Sequence, residues 1–357
     1  MIDFLVIGGG IAGTSVGARL SHLGHVVVLE RETALAYHAS GRSAAMFEES
    51  YGAPSTIALN KASRAYHFEA NGGVTSPRGL MLIGTADSTQ AFQTDLVDMQ
   101  LQQISVDDAR AMIPILNNSV TQIGYSAGAW DLDTDLLVQN FAHEVRGNGG
   151  MVRTLAEVTA VSRTATGWDV TIGEEVLSAR NLVNAAGAWV DVIAQMAGIA
   201  PLGVTPLRRS MARIPAPGGH DVSSWPMLFG PGENWYAKPD AGALIVSPAD
   251  EVLMPPMDAW ADDMMLAEGL ARYEAHVTEP VTRMPSNWAG LRTFAPDRNL
   301  VLGPDARDAS FIWMAGQGGY GFQTAPAASQ LVADLVAGNT PQIEAKMVAK
   351  LMPHRFA

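Results

Sequence analysis

Near the start of the chain, Gly8-Gly-Gly10-Ile11-Ala12-Gly13 sets glycines at the first, third and sixth positions of a G-x-G-x-x-G pattern. Each has a task in holding a dinucleotide. Gly8 allows a tight turn, Gly10 lets the backbone approach a pyrophosphate, and Gly13 lets a helix pack closely on the preceding strand. The helix N-terminus adds partial positive charge toward the phosphates. Glu30 follows twenty residues after Gly10, where a carboxylate can accept hydrogen bonds from a ribose. Two more glycine turns follow, Leu182-Val-Asn-Ala-Ala-Gly187-Ala-Trp189 and Gly316-Gln-Gly-Gly-Tyr-Gly321-Phe322. The second stands before the last long helix, so its N–H groups and the helix dipole can stabilise charge at N1/O2 of a reduced flavin. FAD is favoured over NAD because the pattern lies at the very start of the chain and similar pieces return at the C-terminal end.

These turns need strands and helices in a fixed order. Phe4 to Ile7 reads as a buried parallel strand. Ala12, Val16, Leu20 and Leu23 recur at helical spacing, Gly24 ends that helix, and His25 to Leu29 reads as a second strand ending at Glu30. The pattern predicts a helix from Leu136 to Gly147, a strand pair within Met151 to Ile172 turning at Thr166-Gly167, and a strand then a helix between Asn181 and Gly198. Leu80 to Ile83, Ser210 to Ile214 and Gly242 to Ser247 read as further strands, and Tyr37 to Tyr51 as a small polar loop with a short helix. The opening pattern returns in Leu300 to Leu302, Phe311 to Ala315 and a helix from Thr324 to Val336. The expected class is α/β, with a Rossmann-like FAD-binding domain built on a parallel sheet from residues 1–50, 140–204 and 286–357. An inserted α+β substrate-binding domain, residues 51–139 and 205–285, is expected to hold a mainly antiparallel sheet.

With 48% hydrophobic and 17% charged residues in 357, the chain can bury a large core and is not disordered. Its 36 acidic and 23 basic residues leave a formal charge of −13, which argues against nucleic acid or anionic membrane as a partner. The lack of cysteine excludes disulfides, thiolate metal sites, cysteine nucleophiles and cysteine-linked cofactors, and fits a reducing compartment. Met1 to Ala18 has no positive n-region and carries Asp3, and the apolar stretch 181–204 contains Asn184, Asp191 and Gln195. Neither reads as a leader or a membrane span. The expectation is a cytoplasmic protein that is not integral to a membrane. Asp131-Leu-Asp133-Thr-Asp135 lacks the glycine and glutamate of an EF-hand, having Leu136 and Ala142 there, so it reads as helix capping rather than a metal site. Trp168 and Trp313 read as core residues.

Taken with Tyr37-His-Ala-Ser-Gly-Arg-Ser-Ala-Ala45 and Trp288-Ala-Gly-Leu-Arg292, the three glycine turns and Glu30 make nearly the whole chain resemble the D-amino-acid oxidase superfamily of FAD-dependent oxidoreductases. Tyr51, Arg208-Arg-Ser210, Tyr236-Ala-Lys-Pro-Asp-Ala-Gly242 and Ser247-Pro248 look most like its D-arginine dehydrogenase branch. The resemblance implies cofactor contacts at Gly8, Gly10, Ile11, Ala12 and Gly13, then at Glu30 and Arg31. It implies others along the loop at Ser40, Gly41, Arg42, Ser43, Ala45 and Met46, and at Val158, Ala186, Gly187 and Trp189. The last turn adds Gly318, Gly319, Tyr320, Gly321, Phe322 and Gln323.

The same resemblance implies that Arg292 and Tyr236 hold a substrate carboxylate, with Arg209 and Tyr51 nearby and Gly319 beside the substrate. A guanidinium offers a carboxylate a bidentate fork, and a phenol adds a directed donor. Where D-arginine enzymes turn a histidine and a glutamate toward the substrate, this chain has Met46 and Leu80. The expected pocket is therefore apolar or small, with Trp235 at its border and no anion to hold a cationic side chain. His38 lies in a His-Ala-Ser-Gly41 context similar to that of the flavin-linked histidine in dimethylglycine and sarcosine dehydrogenases. The D-arginine branch shares it and binds FAD non-covalently, which is the expectation here.

The implied reaction oxidises the C–N bond of a D-amino acid by hydride transfer to flavin N5. The imino acid hydrolyses to a 2-oxo acid and ammonia, and the electrons pass to oxygen or a quinone. The same carboxylate clamp would serve sarcosine-like secondary amines, glycine or a 2-hydroxy acid. A flavin-binding protein without turnover is the remaining alternative, and it would have no need of such a clamp.

Overall fold

Alternation along Ile2–Ile7 sends Phe4 and Val6 to one apolar cluster and Leu5 and Ile7 to another. A strand buried on both faces belongs inside a parallel sheet, and that is its place in the computed structural model, which describes residues 1–356. Ile2–Ile7 pairs in parallel with Val26–Leu29 on one side and Glu175–Asn184 on the other. Met151–Arg153 extends the sheet beyond Val26–Leu29, and Phe311–Ala315 joins the C-terminal part of Glu175–Asn184, both in parallel. Antiparallel strands Val158–Thr164, Gly167–Ile172 and Val301–Pro304 complete eight strands.

Helices Ile11–Leu20, Thr134–Gly147 and Gly321–Ala337 cover the Phe4/Val6 face, while Val190–Met196 lies on the other. Trp168 and Trp313 are buried in the second cluster, as expected. Asp133 caps Thr134–Gly147, its carboxylate accepting from Leu136 N–H at 2.9 Å. Asp131 accepts from Arg78 Nε at 2.7 Å and pairs with Lys238.

A second, nine-stranded sheet holds Leu80–Thr85, Thr205–Pro215, Tyr236–Asp240, Ala243–Ser247 and Ser286–Phe294 among its strands. Its pairs are antiparallel except that of Met227–Phe229 with Leu80–Thr85. A third sheet of three short strands, Met46–Phe47, Trp130–Leu132 and Thr75–Pro77, lies apart from both in its hydrogen bonding. The two large sheets, one built on parallel strands and one mainly antiparallel, give the α/β class that the sequence predicted.

Ser286–Phe294, expected on the cofactor side, pairs over nine residues with Thr205–Pro215 in the antiparallel sheet. Thr134–Gly147 runs unbroken across the expected 139/140 boundary and packs with the cofactor-side helices. Alternation identifies a strand but not the sheet it joins, because that depends on edge partners distant in sequence. No helix of residues 1–356 is long and apolar enough to cross a membrane.

Candidate active site

The first turn closes as its glycines require. Gly8 has φ of +112°, and a Cβ there would collide with Ala185 O just past the neighbouring strand. Gly9 N–H donates to Glu30 Oε2 at 2.8 Å, and Glu32 N–H donates to Glu30 Oε1 at 2.9 Å. Glu30 is thus buried and fixed at the end of its strand, facing the turn. Ile11 N–H donates to Ser40 Oγ at 3.0 Å, which ties the loop after Tyr37 to the helix N-terminus.

These groups line a cavity of about 460 Å³ between the two large sheets. Gly8, Gly10, Ile11, Ala12, Glu30 and Arg31 form one stretch of wall, and Ser40, Arg42, Ser43, Ala45 and Met46 another. Val158, Ala186, Gly187 and Trp189 form a third, and Gly318, Gly319, Gly321, Phe322 and Gln323 a fourth. Arg31 lies over the Trp189 ring, 5.3 Å from its centroid, and Arg42 donates to the Ala259 and Ala289 carbonyls at 2.9 Å each. His38 also lines the cavity, its Nε2 held 2.9 Å from Glu32 Oε1 and its ring 4.8 Å from that of Trp189.

Thr205–Pro215 and Ser286–Phe294 bring two arginines to the opposite wall. Leu207 faces Arg292 and Arg209 faces Gly290 in register, so Arg209 and Arg292 share one face of the sheet. Arg208, one residue away, points to the other face and is bound to the buried Asp250 at 3.1 Å. Arg209 reaches Glu251 at 3.3 Å, while its Nε is buried without a partner. Among the described residues Arg292 has neither ion pair nor hydrogen bond, and a Cβ on Gly319 would lie 3.0 Å from its Nη1. A side chain at Gly319 would press on the guanidinium and force it to shift by a few tenths of an ångström.

The lining carries further unsatisfied polarity. Thr293 Oγ1, Gln317 Nε2 and Gln323 Nε2 are buried without partners on residues that line the cavity. Buried donors are rarely left unpaired. A glycine turn, an anchored carboxylate, a helix N-terminus and these orphan groups together fit a dinucleotide that ends in a polar ring system such as flavin. A family model described as DAO, FAD dependent oxidoreductase, matches residues 3–335.

The chain belongs to the DAO family of FAD-dependent oxidoreductases. It is therefore an enzyme whose cofactor is FAD. FAD-dependent oxidoreductase domain-containing protein 1 of Bos taurus is 23% identical over 94% of this chain and 81% of its own. In fold the chain is similar to L-proline dehydrogenase from P. horikoshii, with a TM-score of 0.84, 21% identity and coverage of 99% and 97%. It is also similar to glycine oxidase from Geobacillus kaustophilus, with a TM-score of 0.80, 21% identity and 97% coverage of both chains.

Within this DAO-family site, several expected residues stand behind the wall rather than on it. A Cβ on Gly13 would collide with Gly8 O, and one on Gly41 with Ala36 O, so these glycines serve close packing. Tyr320 sets its ring at a tilt of 56° to that of Tyr51, with centroids 5.4 Å apart. Tyr236 is buried with its hydroxyl 3.3 Å from Met211 Sδ, and Leu80 packs in the same apolar cluster with Met46 at its edge. Trp235 does not border this cluster. Its ring packs against His276 and Tyr273 in a different core cluster, because it alternates with Tyr236 along the chain.

One carboxylate, that of Glu233, lies in the field of Arg292. Burial pulls the Arg292 pKa down, but the surrounding oxygens of Tyr236, Tyr51, Glu233 and Tyr320 outweigh it and raise the value. With the phenols neutral, Glu233 supplies the standing negative charge, and its Oε2 accepts from Tyr51 OH at 2.9 Å. Arg209 moves the other way, lowered by burial and then by the like charge of Arg292. Sequence reading also missed Met211, Met257, Ala259, Thr293 and Gln317 on the cavity wall. Thr293 was reachable as the neighbour of Arg292, whereas Met257 and Ala259 lie in an irregular segment that carries no motif.

Proposed function

We propose that this enzyme oxidises the C–N bond of a small or apolar D-amino acid, giving an imino acid that water converts to a 2-oxo acid and ammonia. The observation that carries it is Arg292, an unpaired guanidinium on the cavity wall beside the glycine turn of Gly318 and Gly319. A substrate carboxylate would complete its fork, with Tyr236, Tyr51 and Arg209 around that position as the proposed supporting groups. Charge-assisted hydrogen bonds of this kind contribute about 1.5–3 kcal/mol. Bound FAD would supply the hydride acceptor for the substrate α-carbon.

The chain's own residues then orient and select. Holding the carboxylate at Arg292 directs the α-carbon toward the Gly318–Gly319 turn, and fixed orientation is a large part of such catalysis. Met46 and Met211 offer an apolar surface to the side chain, with Leu80 packed behind them. Glu233, a carboxylate in the field of Arg292, is already engaged by Tyr51, which supports an uncharged side chain over a cationic one. The carboxylates and imidazole on the cavity wall, Glu30, Glu157 and His38, lie on the stretches assigned to the dinucleotide, so the amine would react as its neutral form. The D-hand rests on the motifs shared with the D-arginine dehydrogenase branch. We assign the parallel-sheet side to FAD and the antiparallel side to substrate, oxygen or a quinone as electron acceptor, and the cytoplasm as location because a chain without cysteine suits it.

Anaerobic mixing with D- and L-amino acids, glycine, sarcosine, proline and 2-hydroxy acids, followed by flavin absorbance, tests this. Bleaching led by apolar D-amino acids supports the proposal. Bleaching led by D-arginine would overturn the reading of Met46 and Leu80. Bleaching led by glycine, sarcosine, an L-amino acid or a hydroxy acid would replace the substrate class.

A further inference from the structure

Helix Pro54–Glu69 buries a polar stripe. Thr56, Asn60, Ser63 and His67 recur at helical spacing, and all four are fully buried where apolar side chains are the rule. The stripe faces helix Gly321–Ala337, which carries Pro326 in its interior. Pro326 has no N–H for Phe322 O, and its ring pushes that carbonyl aside, so the backbone ladder is broken there.

Side chains of the stripe bond the backbone on both sides of that break. His67 Nε2 lies 3.0 Å from Gln323 O. A carbonyl can only accept, so Nε2 carries the proton. Ser63 Oγ accepts from Ala327 N–H at 3.1 Å and donates to Thr324 O at 3.4 Å. Asn60 Nδ2 donates to Tyr51 O at 3.0 Å, gripping the turn beside the substrate position. The held segment is part of the FAD wall, since Gly321, Phe322 and Gln323 line the cavity and Gln323 Nε2 has no protein partner. Burying polar groups costs free energy that their hydrogen bonds must offset, so the stripe's purpose is sought in what it positions.

We propose that His67 and Ser63 are positioning residues that hold the first turns of Gly321–Ala337 against the flavin. They keep its N-terminal N–H groups and Gln323 directed at the negative charge that flavin gains on reduction. The inference rests on the FAD assignment and concerns residues that touch neither flavin nor substrate. Loss of either side chain lets the turn relax around Pro326 and weakens stabilisation of the reduced state.

The test compares FAD-loaded wild type with His67→Leu, His67→Gln and Ser63→Ala. It measures the two-electron midpoint potential, the affinity of the bound flavin for sulfite, and the melting temperature. His67→Leu and Ser63→Ala should disfavour reduction about tenfold, which is about 30 mV for a two-electron couple. Sulfite binding should weaken in step. His67→Gln, whose amide can donate to the same carbonyl, should stay near wild type in both. Folded, FAD-loaded His67→Leu and Ser63→Ala with wild-type potential and sulfite affinity would overturn the proposal. If His67→Leu does not fold, Ser63→Ala decides alone, because it removes a single oxygen. A wild-type chain that takes up no FAD would instead overturn the cofactor assignment on which the inference stands.

Discussion

The Tyr51 hydroxyl donates to Glu233 Oε2 across 2.9 Å, joining the turn ahead of helix Pro54–Glu69 to the short turn Pro231–Glu233. Glu233 holds φ of 50°, a left-handed conformation that non-glycine residues adopt only where the surroundings compel it. Burial raises the Tyr51 pKa first and Glu233 raises it further, while Arg292 pulls it back. The phenol is therefore a donor throughout the working pH range. The bond places a carboxylate in the field of Arg292 without pairing the two, leaving the guanidinium open.

Tyr51→Phe and Glu233→Gln should each weaken substrate binding, and together by less than the sum of the two. A double-mutant cycle on KM for the best substrate should return a coupling on the order of 1 kcal/mol. Strictly additive effects would show that the bond contributes nothing to binding.

Arg292→Gln should lower kcat/KM for any carboxylate substrate by roughly ten- to a hundredfold, the equivalent of losing one charge-assisted pair. FAD content should stay at the wild-type ratio, because the proposed dinucleotide contacts, the Gly8 turn and Glu30, lie on other elements. Loss of flavin from the variant would move Arg292 from substrate binding to cofactor binding.

FAD should be released by acid precipitation, leaving a colourless pellet. His38 Nε2 is 2.9 Å from Glu32 Oε1, and its Nδ1 is 3.9 Å from Asp258, so both ring nitrogens face carboxylates. A yellow pellet whose flavin follows the His38 peptide would show a covalent link and sink this expectation.

His67 should make stability depend on pH. Burial lowers its pKa to about 4 from an ordinary 6.5, against an opposing pull from its bond to Gln323. Between those values the unfolded chain binds a proton that the native chain refuses. The contribution is thus present above about pH 6.5 and lost as pH falls toward 4. His276, lowered by burial, acts in the same direction, and Glu48, raised by burial, acts against it. The comparison with His67→Gln removes both. In urea titrations at pH 7 and 4.5, wild type should lose about 2 kcal/mol more than the variant; an equal loss would show that His67 is not held neutral.

Local chemistry made the cofactor side legible. The turn at Gly8 needs positive φ, Gly13 must clear a carbonyl, and Glu30 must end the second strand, so spacing alone announces them. The strand expected at Ser210 to Ile214 begins earlier, at Thr205, and so takes in Arg208 and Arg209. It was the antiparallel partner that turned Arg209 to the cavity and Arg208 to Asp250.

What tertiary structure decided concerns groups brought together across the chain. Glu233 reaches Tyr51 over 182 residues of sequence, and His67 reaches Gln323 over 256. Trp235, next to Tyr236, was sent to the opposite face by strand alternation, and Ser286–Phe294 took its sheet from its partner Thr205–Pro215. By itself the sequence determined the α/β class and the glycine turn after the first strand, and singled out Arg292 as the proposed carboxylate-binding arginine, because those depend on backbone limits and charge within a few residues. The neighbours of that arginine, the second sheet's membership and the buried stripe behind Gln323 came only with the fold, because burial and pairing between distant segments are properties of packing.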